Sequence, residues 1–433
     1  MNAIFYRYGS VYEPDMLAAF KQAGLNVVEI DREISDKSVT DRERIDLIKA
    51  AIEEYEPVFV YGVNYYPAIS EVCRIYDVIY ISQTVDSPIF TLFDKSIQNH
   101  TNRILLFDRA QYDLFSEYNP EGIIHLPLAS AVDRFDKVIS SITSDDRKRF
   151  TGDIAFVGST YREKDPYLDL SGLSDYTKGY VEAMIEASLK IYGYYPVKDA
   201  LDEKVISDIK KAAGSDFPYI DGAVTDMDAY AASHRYIGSH LAVVERERTL
   251  ETLSEHFNVN LYTRSDTSVF SNINSKFSSD DSGHTNMASD NITRSDNNAM
   301  KNSAVADSSD RVGLYVHPGV NTLTEMPKVF HLSKINLNMT MRPIETGLPL
   351  RCFDILGCGG FLMTNYQDEI NDMFVIGQDL EAYSSLEELI DKCAYYLTHE
   401  DERATIAHNG YEKVKSSHTH FHRLRDALAL IAK

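Results

Sequence analysis

Short apolar runs of four or five residues recur along the first 130 positions, and between them apolar residues return at helical spacing. Ala3–Tyr6, Asn26–Ile30, Val58–Tyr61, Val78–Ile81, Ile104–Phe107 and Ile123–Leu126 are predicted as strands, being short, apolar and rich in β-branched or aromatic residues. Pro14–Gly24 is predicted as a helix that stops at its glycine. Arg42–Tyr55 is predicted as another, because Ile45, Leu47, Ile48, Ala51 and Ile52 recur at helical spacing. Strands alternating with amphipathic helices imply a parallel sheet covered on both faces, a doubly wound domain.

A second series opens at Asp153–Ser159. A long helical insert follows over 166–257. It includes Tyr176–Tyr192, with Tyr176, Tyr180, Met184 and Leu189 on one face, and Tyr230–Phe257. Val259–Thr263, Leu314–His317, Lys334–Asn338 and Gly360–Thr364 are the next predicted strands. Ser384 and Glu387 have capping-box spacing and open a helix that turns Leu386, Leu389, Ile390, Cys393 and Leu397 inward. The last helix carries Phe421, Leu424, Leu428 and Ile431 on one face. Residues 265–310 break the pattern, since Ser, Asn and Asp make up more than half of them. Such a segment buries too little surface to offset its ordering entropy and is expected to be a mobile, disordered surface loop. Its Asn291-Ile-Thr293 sequon is read as a chance match.

The fold expected is therefore α/β: an N-terminal Rossmann-like domain over 1–150, and a second over 151–419 with the insert at 166–257. The two are joined near 130–152 and face a central cleft. In such sheets ligands bind beyond the carboxyl ends of the strands.

Composition narrows the partners. A formal net charge of −23 argues against nucleic acid, which needs clustered Lys and Arg. Cys73, Cys352, Cys358 and Cys393 lie scattered in apolar surroundings, as buried thiols of a reducing, cytoplasmic compartment would. The first eight residues are too short and polar to form a signal peptide, and no window approaches 18 apolar residues, so no membrane segment is expected. There is no Trp but there are 28 Tyr, most of them expected in packing, with some available for sugar contacts.

Gly347–Phe361 carries the most chemistry. It sets Asp354 inside an apolar helical run that opens after Gly347-Leu-Pro and stops at Cys358-Gly-Gly. A helix N-terminus attracts anions, and an acid beside it accepts bonds from sugar hydroxyls; the plainer reading is a helix start with a surface Arg351–Asp354 ion pair. Four strand-end loops join it. Tyr8-Gly9-Ser10 would let a phosphate or sugar approach the backbone. Gly62–Pro67 and Gln83–Pro88 flank the cleft mouth. There Asp86 is a candidate base for an acceptor hydroxyl, with an Asx-turn before Pro88 as the alternative and Asp94, His125 and His317 as lesser candidates. In Phe156–Lys164, Gly158 and Ser159 form the turn, and Arg162 and Lys164 are cations suited to a diphosphate. In Tyr315–Val320, His317 is placed to stack or hydrogen-bond, and Gly319 to permit close approach. No metal template appears, His418-Thr-His-Phe-His422 included.

Met326–Asn338, the Gly347–Phe361 stretch, Glu381–Glu388 and Arg403–Gly410 follow one another in an order that resembles the C-terminal half of GT-B glycosyltransferases, specifically the spore-maturation CgeB-like group. The resemblance covers roughly 150–433. It implies a nucleotide-sugar donor, UDP-linked, an acceptor glycan or protein, and neither cofactor nor metal. Asp354 falls where relatives use a Glu on the donor ribose. The second Glu of the better-known motif would fall on Thr346 and is absent, so retention of configuration is not implied. The resemblance also implies donor contacts from Gly158, Ser159, Arg162, His317, Gly319 and Arg351, and a final helix, 420–433, that crosses back to the first domain. Two other readings share the two-domain plan: a binding module of periplasmic-receptor type, and a glycosyltransferase-like scaffold without catalysis.

Overall fold

The computed structural model describes residues 1–271 and 312–431. Most of the polar segment expected to be a mobile loop, with its Asn291 sequon, lies outside the described residues. Two parallel six-stranded sheets organise the rest. The first comprises β1 (Asn2–Tyr6), β2 (Asn26–Ile30), β3 (Phe59–Val63), β4 (Ile79–Gln83), β5 (Asn102–Leu106) and β6 (Ile123–His125), in the order β2-β1-β3-β4-β5-β6. The second comprises β7 (Gly152–Val157), β8 (Asn258–Thr263), β9 (Gly313–Pro318), β10 (Ser333–Asn338), β11 (Leu362–Asn365) and β12 (Glu381–Tyr383), in the order β12-β11-β10-β7-β8-β9. Both are doubly wound, with apolar clusters on each face. The chain is thus a two-domain α/β protein of GT-B-type architecture. Strand order reverses between β1 and β3 in the first sheet and between β7 and β10 in the second, and these two crevices are where such sheets take ligands.

Three details differ from the sequence reading. β12 was not foreseen, because three residues at a sheet edge give too short a run for periodicity to register. The helix start is capped one residue later than expected and without a capping box: Ser385 Oγ accepts from the Glu388 N–H at 3.1 Å, while the Glu388 carboxylate accepts from the N–H of Ser384, the residue before the cap, at 2.7 Å. The run Tyr230–Phe257 is not a plain helix. A helical turn at Asp228–Tyr230 passes through a π-helical segment, Ala231–Ile237, into the helix Gly238–Ser254.

The chain changes partners before residue 150. Helices Val132–Ser140 and Ser144–Phe150 already pack on the second domain, with Phe135 and Phe150 in one buried cluster with Phe330, Ile355 and Leu362. The last helix, His420–Ile431, lies against the first helix, Glu13–Gln22, and buries Leu424 and Ala427 among Phe20, Tyr61 and Leu105. Among the described residues no helix is long and apolar enough to cross a membrane. All four cysteines are buried thiols without disulfides.

Candidate functional site

The loops leaving β5 and β6 meet those leaving β10 and β11 in a buried polar seam. Asp108 accepts from the Thr346 N–H (3.1 Å), the Thr346 hydroxyl (2.8 Å), the Gly347 N–H (3.2 Å) and the Glu345 N–H (3.0 Å). Glu369, also buried, accepts from the Arg109 N–H and the Thr346 hydroxyl, both at 2.8 Å, and bonds His125 Nε2 at 2.8 Å. Thr346 has one hydroxyl hydrogen for two carboxylates. Burial above all, then the Glu369 charge, raises the Asp108 carboxyl above its ordinary range, while its hydrogen bonds pull the other way. A Cβ on Gly347 would stand 2.8 Å from Phe107 O and 2.9 Å from Asp108 Cα, so only glycine permits the domains to approach this closely. His125, a lesser candidate for the base, is committed to Glu369 here.

Beside the seam, the first domain's wall holds Asp86. It is exposed and accepts from Asn64 Nδ2 at 2.7 Å. Asn64 adopts a left-handed backbone (φ 60°), reaches Tyr8 Oη at 3.1 Å and accepts from the Val85 N–H at 3.0 Å. The β3 loop therefore orients Asp86 through a side-chain contact. Its neighbours fix where it faces. Val85 packs in the same two apolar clusters as Leu350 of the second domain, and Ser87 Oγ donates to Pro343 O at 3.3 Å. Burial first, and then the Asp86 charge, pushes the nearby Tyr8 phenol up to about 12.

The Gly9 loop does not hold free donors for a phosphate. The N–H groups of Tyr8 and Gly9 both give to the buried Glu13 carboxylate, at 2.9 and 3.0 Å. Asp94 caps a helical turn through the Ser96 N–H at 2.8 Å.

At the second domain's crevice the structure supplies a cation that sequence reasoning missed. Arg246 is 7% exposed; it donates to Ser159 O at 2.6 Å and Met339 O at 2.8 Å, bridging the ends of β7 and β10. Tyr161, held in the left-handed region at φ 68°, covers its guanidinium at 4.1 Å. Among the described residues no carboxylate lies within ion-pair distance of Arg246. In sequence it hides in Glu245-Arg-Glu-Arg248, which looks like a solvated charge run. Tertiary structure sorts that run. Glu245 pairs with buried Arg342 (2.7 Å), Glu247 with Arg162 (2.6 Å) and Arg248 with Glu186 (2.7 Å). Arg162, expected at the diphosphate, has both its Nε and Nη2 engaged by Glu247.

The remaining expected residues lie around this crevice. The Gly158 N–H continues the ladder to Tyr262 O at 3.1 Å, and Ser159 Oγ bonds Ser265 Oγ at 3.0 Å. Lys164 is exposed. His317 stacks on Tyr262 with centroids 4.6 Å apart and bonds Asn260 Oδ1 at 2.9 Å, and burial lowers its pKa. Gly319 lies where a Cβ would meet Arg264 Cγ at 2.4 Å.

Asp354 sits in the second turn of the helix Leu350–Gly357, whose N-cap, Pro349, supplies no side-chain bond. It is buried, not part of a surface ion pair: its one side-chain bond is to Arg351 Nη1, at a long 3.4 Å. Arg351 also touches Met326 Sδ and lies over the Phe330 ring at 5.2 Å. Burial raises the Asp354 carboxyl to about 6, although Arg351 and Arg134 pull it down. Arg134 is itself clamped by Asp15, at 2.8 and 2.7 Å, and both line a groove of about 750 Å³. A buried acid this poorly partnered is the sort of group found at binding sites. Among the described residues no cluster of three or more His, Cys, Asp or Glu is arranged to hold a metal ion.

Comparison with known proteins bears on the segment that carries Asp354. Residues 305–429 match a family model described as glycosyl transferase-like. No curated protein matches the chain. Among solved structures it resembles a sucrose-phosphate synthase from Thermosynechococcus elongatus (9% identity, 99% of this chain and 97% of that one, TM-score 0.49). It also resembles Anabaena Alr3699/HepE in complex with UDP-glucose (8%, 100% and 99%, TM-score 0.48) and the UDP-GlcNAc 2-epimerase of Neisseria meningitidis (9%, 100% and 99%, TM-score 0.48).

Proposed function

We propose that the protein is a glycosyltransferase, of the CgeB-like group and acting in the cytoplasm, that moves a sugar from a nucleoside diphosphate donor, UDP-linked in the first instance, to an acceptor hydroxyl. The observation that carries this reading is the position of Asp86. It is exposed on the first domain's wall; Ser87, next in the chain, donates to Pro343 O in the loop that leads into the Asp354 helix, Val85 packs against the same apolar clusters as Leu350, and both Pro343 and Leu350 lie in the 305–429 segment that matches the glycosyl transferase-like model.

In this reading the donor lies on the second domain. Asp354 accepts from the ribose. Arg246, Arg351 and the N-terminus of the Leu350–Gly357 helix face the diphosphate, with Gly158, Ser159, His317 and Gly319 shaping the base and phosphate pockets. Asp86 takes the acceptor's hydroxyl proton as the new anomeric C–O bond forms. The bond from the anomeric carbon to the β-phosphate oxygen breaks, and nucleoside diphosphate leaves. Fixed protein cations meet that charge, so the reaction is proposed to run without metal. A carboxylate acting directly on the acceptor belongs to a single displacement, which inverts the anomeric centre.

The test is a thermal-shift screen with UDP, GDP, CDP and dTDP, followed by donor hydrolysis. At least one diphosphate is expected to raise Tm by several degrees, as ligand binding linked to folding requires. Asp86→Asn is expected to leave that shift intact while lowering turnover at least ~100-fold, the scale of general base catalysis. No shift with any of the four would end the proposal. A shift without sugar release or transfer would favour a non-catalytic binding protein.

A further inference from the structure

The bend that follows β3 turns on one residue. Asn64 holds a left-handed backbone at φ 60°, a conformation that is unfavourable for most side chains and that asparagine tolerates best after glycine. A residue other than glycine keeps such a conformation when its surroundings over-determine it, and such residues gather at functional sites.

Asn64 is over-determined in this sense. Its N–H donates to Gln83 O at 2.7 Å, and its carbonyl accepts from Ser82 Oγ at 3.1 Å. Its side-chain Oδ1 accepts from the Val85 N–H at 3.0 Å. Only the amide oxygen can take that hydrogen, so the amide nitrogen faces the other way. There Nδ2 donates to Tyr8 Oη at 3.1 Å and to Asp86 Oδ2 at 2.7 Å. The loops leaving β1, β3 and β4 thus meet through one amide, beside the crevice where strand order reverses in the first sheet.

Seen from the carboxylate, the contact is equally specific. Asp86 is exposed; the Asn64 amide is its carboxylate's only hydrogen-bond partner among the described residues, and no Lys or Arg among them lies within ion-pair distance. Charged groups on the surrounding elements have other partners. Glu13 takes the Tyr8 and Gly9 N–H groups, Glu33 pairs with Arg44 at 3.0 Å, and Lys37 donates to Tyr8 O. Across the domain boundary Glu345 pairs with Lys198. A carboxylate held by one neutral donor keeps more basicity than one in an ion pair, and here Oδ1 is left unbonded.

We infer that Asn64 is the positioning residue of this site: its amide fixes the Asp86 carboxylate through Oδ2, so that Oδ1 is the oxygen that takes the acceptor's proton. The link to proton transfer rests on the glycosyltransferase reading; the amide's hold on Asp86 does not. The residue type follows from both demands. Glycine would accept the backbone but hold nothing, and aspartate would set a second negative charge against the first.

The experiment compares the full wild-type chain with Asn64→Gly and Asn64→Asp. Asn64→Gly keeps the left-handed bend and removes the amide, which separates positioning from turn formation. Carbon NMR follows the titration of the Asp86 carboxyl, assigned with Asp86→Asn, while UDP thermal shift and UDP-glucose hydrolysis are measured in parallel. With its donor gone the carboxylate is less stabilised, so its midpoint in Asn64→Gly is expected to rise by about half a pH unit or more, the scale of one hydrogen bond. In Asn64→Asp two carboxylates share the site, and the last proton should leave at higher pH still. Turnover at neutral pH is expected to fall at least ~10-fold in Asn64→Gly, with the donor KM and the UDP response unchanged. A folded Asn64→Gly whose Asp86 midpoint matches the wild type overturns the proposal. Full turnover in that variant also overturns it, since glycine serves a turn at least as well. Where UDP-glucose is not hydrolysed, the titration alone decides. If the midpoint rises but no nucleoside diphosphate shifts Tm, the hold on Asp86 stands and the transferase reading falls. If diphosphates bind and the midpoint stays, only the positioning role falls.

Discussion

The seam and the crevice lie side by side between the same two domains, yet their polar groups are treated oppositely. In the seam, one Asp108 carboxylate takes four bonds from three consecutive residues of the other domain, and Glu369 takes three more partners. In the crevice, Arg246 has only backbone carbonyls, Asp354 has one long bond, and Asp86 has one amide. Saturated polar groups fix geometry, because losing one partner strands the others in a low dielectric. The contrast separates the part that holds the domains together from the strand-end groups that the proposed donor and acceptor contacts would use. Backbone strain follows the same division. Of the four left-handed non-glycine residues among those described, Glu56 and Asp77 end helices, whereas Asn64 and Tyr161 sit at strand ends beside Asp86 and Arg246.

The largest effect should come from breaking the seam. Asp108→Ala strands three backbone N–H groups and is expected to destabilise the protein by ~3–5 kcal/mol in urea unfolding, each orphan costing ~1–3 kcal/mol before relaxation. Asp86→Ala, on the crevice side, should stay within ~0.5 kcal/mol, as exposed substitutions do. Equal losses from the two would dissolve the distinction.

Asp354→Asn probes the crevice from the other direction. The Asp354 carboxyl is raised from 3.8 to about 6, so between those values the folded state holds the proton that the unfolded state has lost. Its favourable contribution is therefore complete below pH ~4 and is lost as pH rises through about 6. Removing the charge should accordingly stabilise the protein at pH 8, by at most ~3 kcal/mol, and change little at pH 4. The same substitution should weaken nucleoside diphosphate binding about ten-fold at pH 8, the loss of one or two hydrogen bonds to a charged acceptor. The wild type's affinity should fall as pH drops below about 6 while the variant's does not. Stabilisation without a binding loss would remove Asp354 from the donor site.

Gly347→Ala should cost ~1–3 kcal/mol, since its methyl group would press on Phe107 O and the Asp108 backbone. A shifted unfolding midpoint that Asp108→Ala does not add to would show that both act through one interface. The smallest effect is expected at Arg162. Its pair with Glu247 is 39% exposed on the Arg side, so Arg162→Ala should change stability by less than ~1 kcal/mol. Diphosphate affinity should be unmoved by Arg162→Ala, whereas Arg246→Met should lower it. The opposite ranking would restore the sequence-based choice.

What was legible before the structure follows from the range of the forces involved. Strand and helix periodicities are local, so eleven of the twelve strands were placed, and the twelfth, Glu381–Tyr383, is an edge strand too short to show a period. Glycine and acid in Gly347–Phe361 also signalled themselves. Their reasons did not: Gly347 is required by a backbone 239 residues earlier in the chain, at Asp108, and Thr346, which looked like an absence, is the hydroxyl shared by two carboxylates.

The sequence by itself determined two doubly wound domains, the strand-end loops and a set of residue types able to handle a sugar and a phosphate. Only the tertiary structure decided which of them remain available. Within Glu245–Arg248 every residue is charged and nothing local ranks them. Folding gave Glu245, Glu247 and Arg248 partners on three different elements and left Arg246 over the junction of β7 and β10. Charge pairing is decided by distances of a few ångströms between segments far apart in the chain, and no pattern along the chain carries that information.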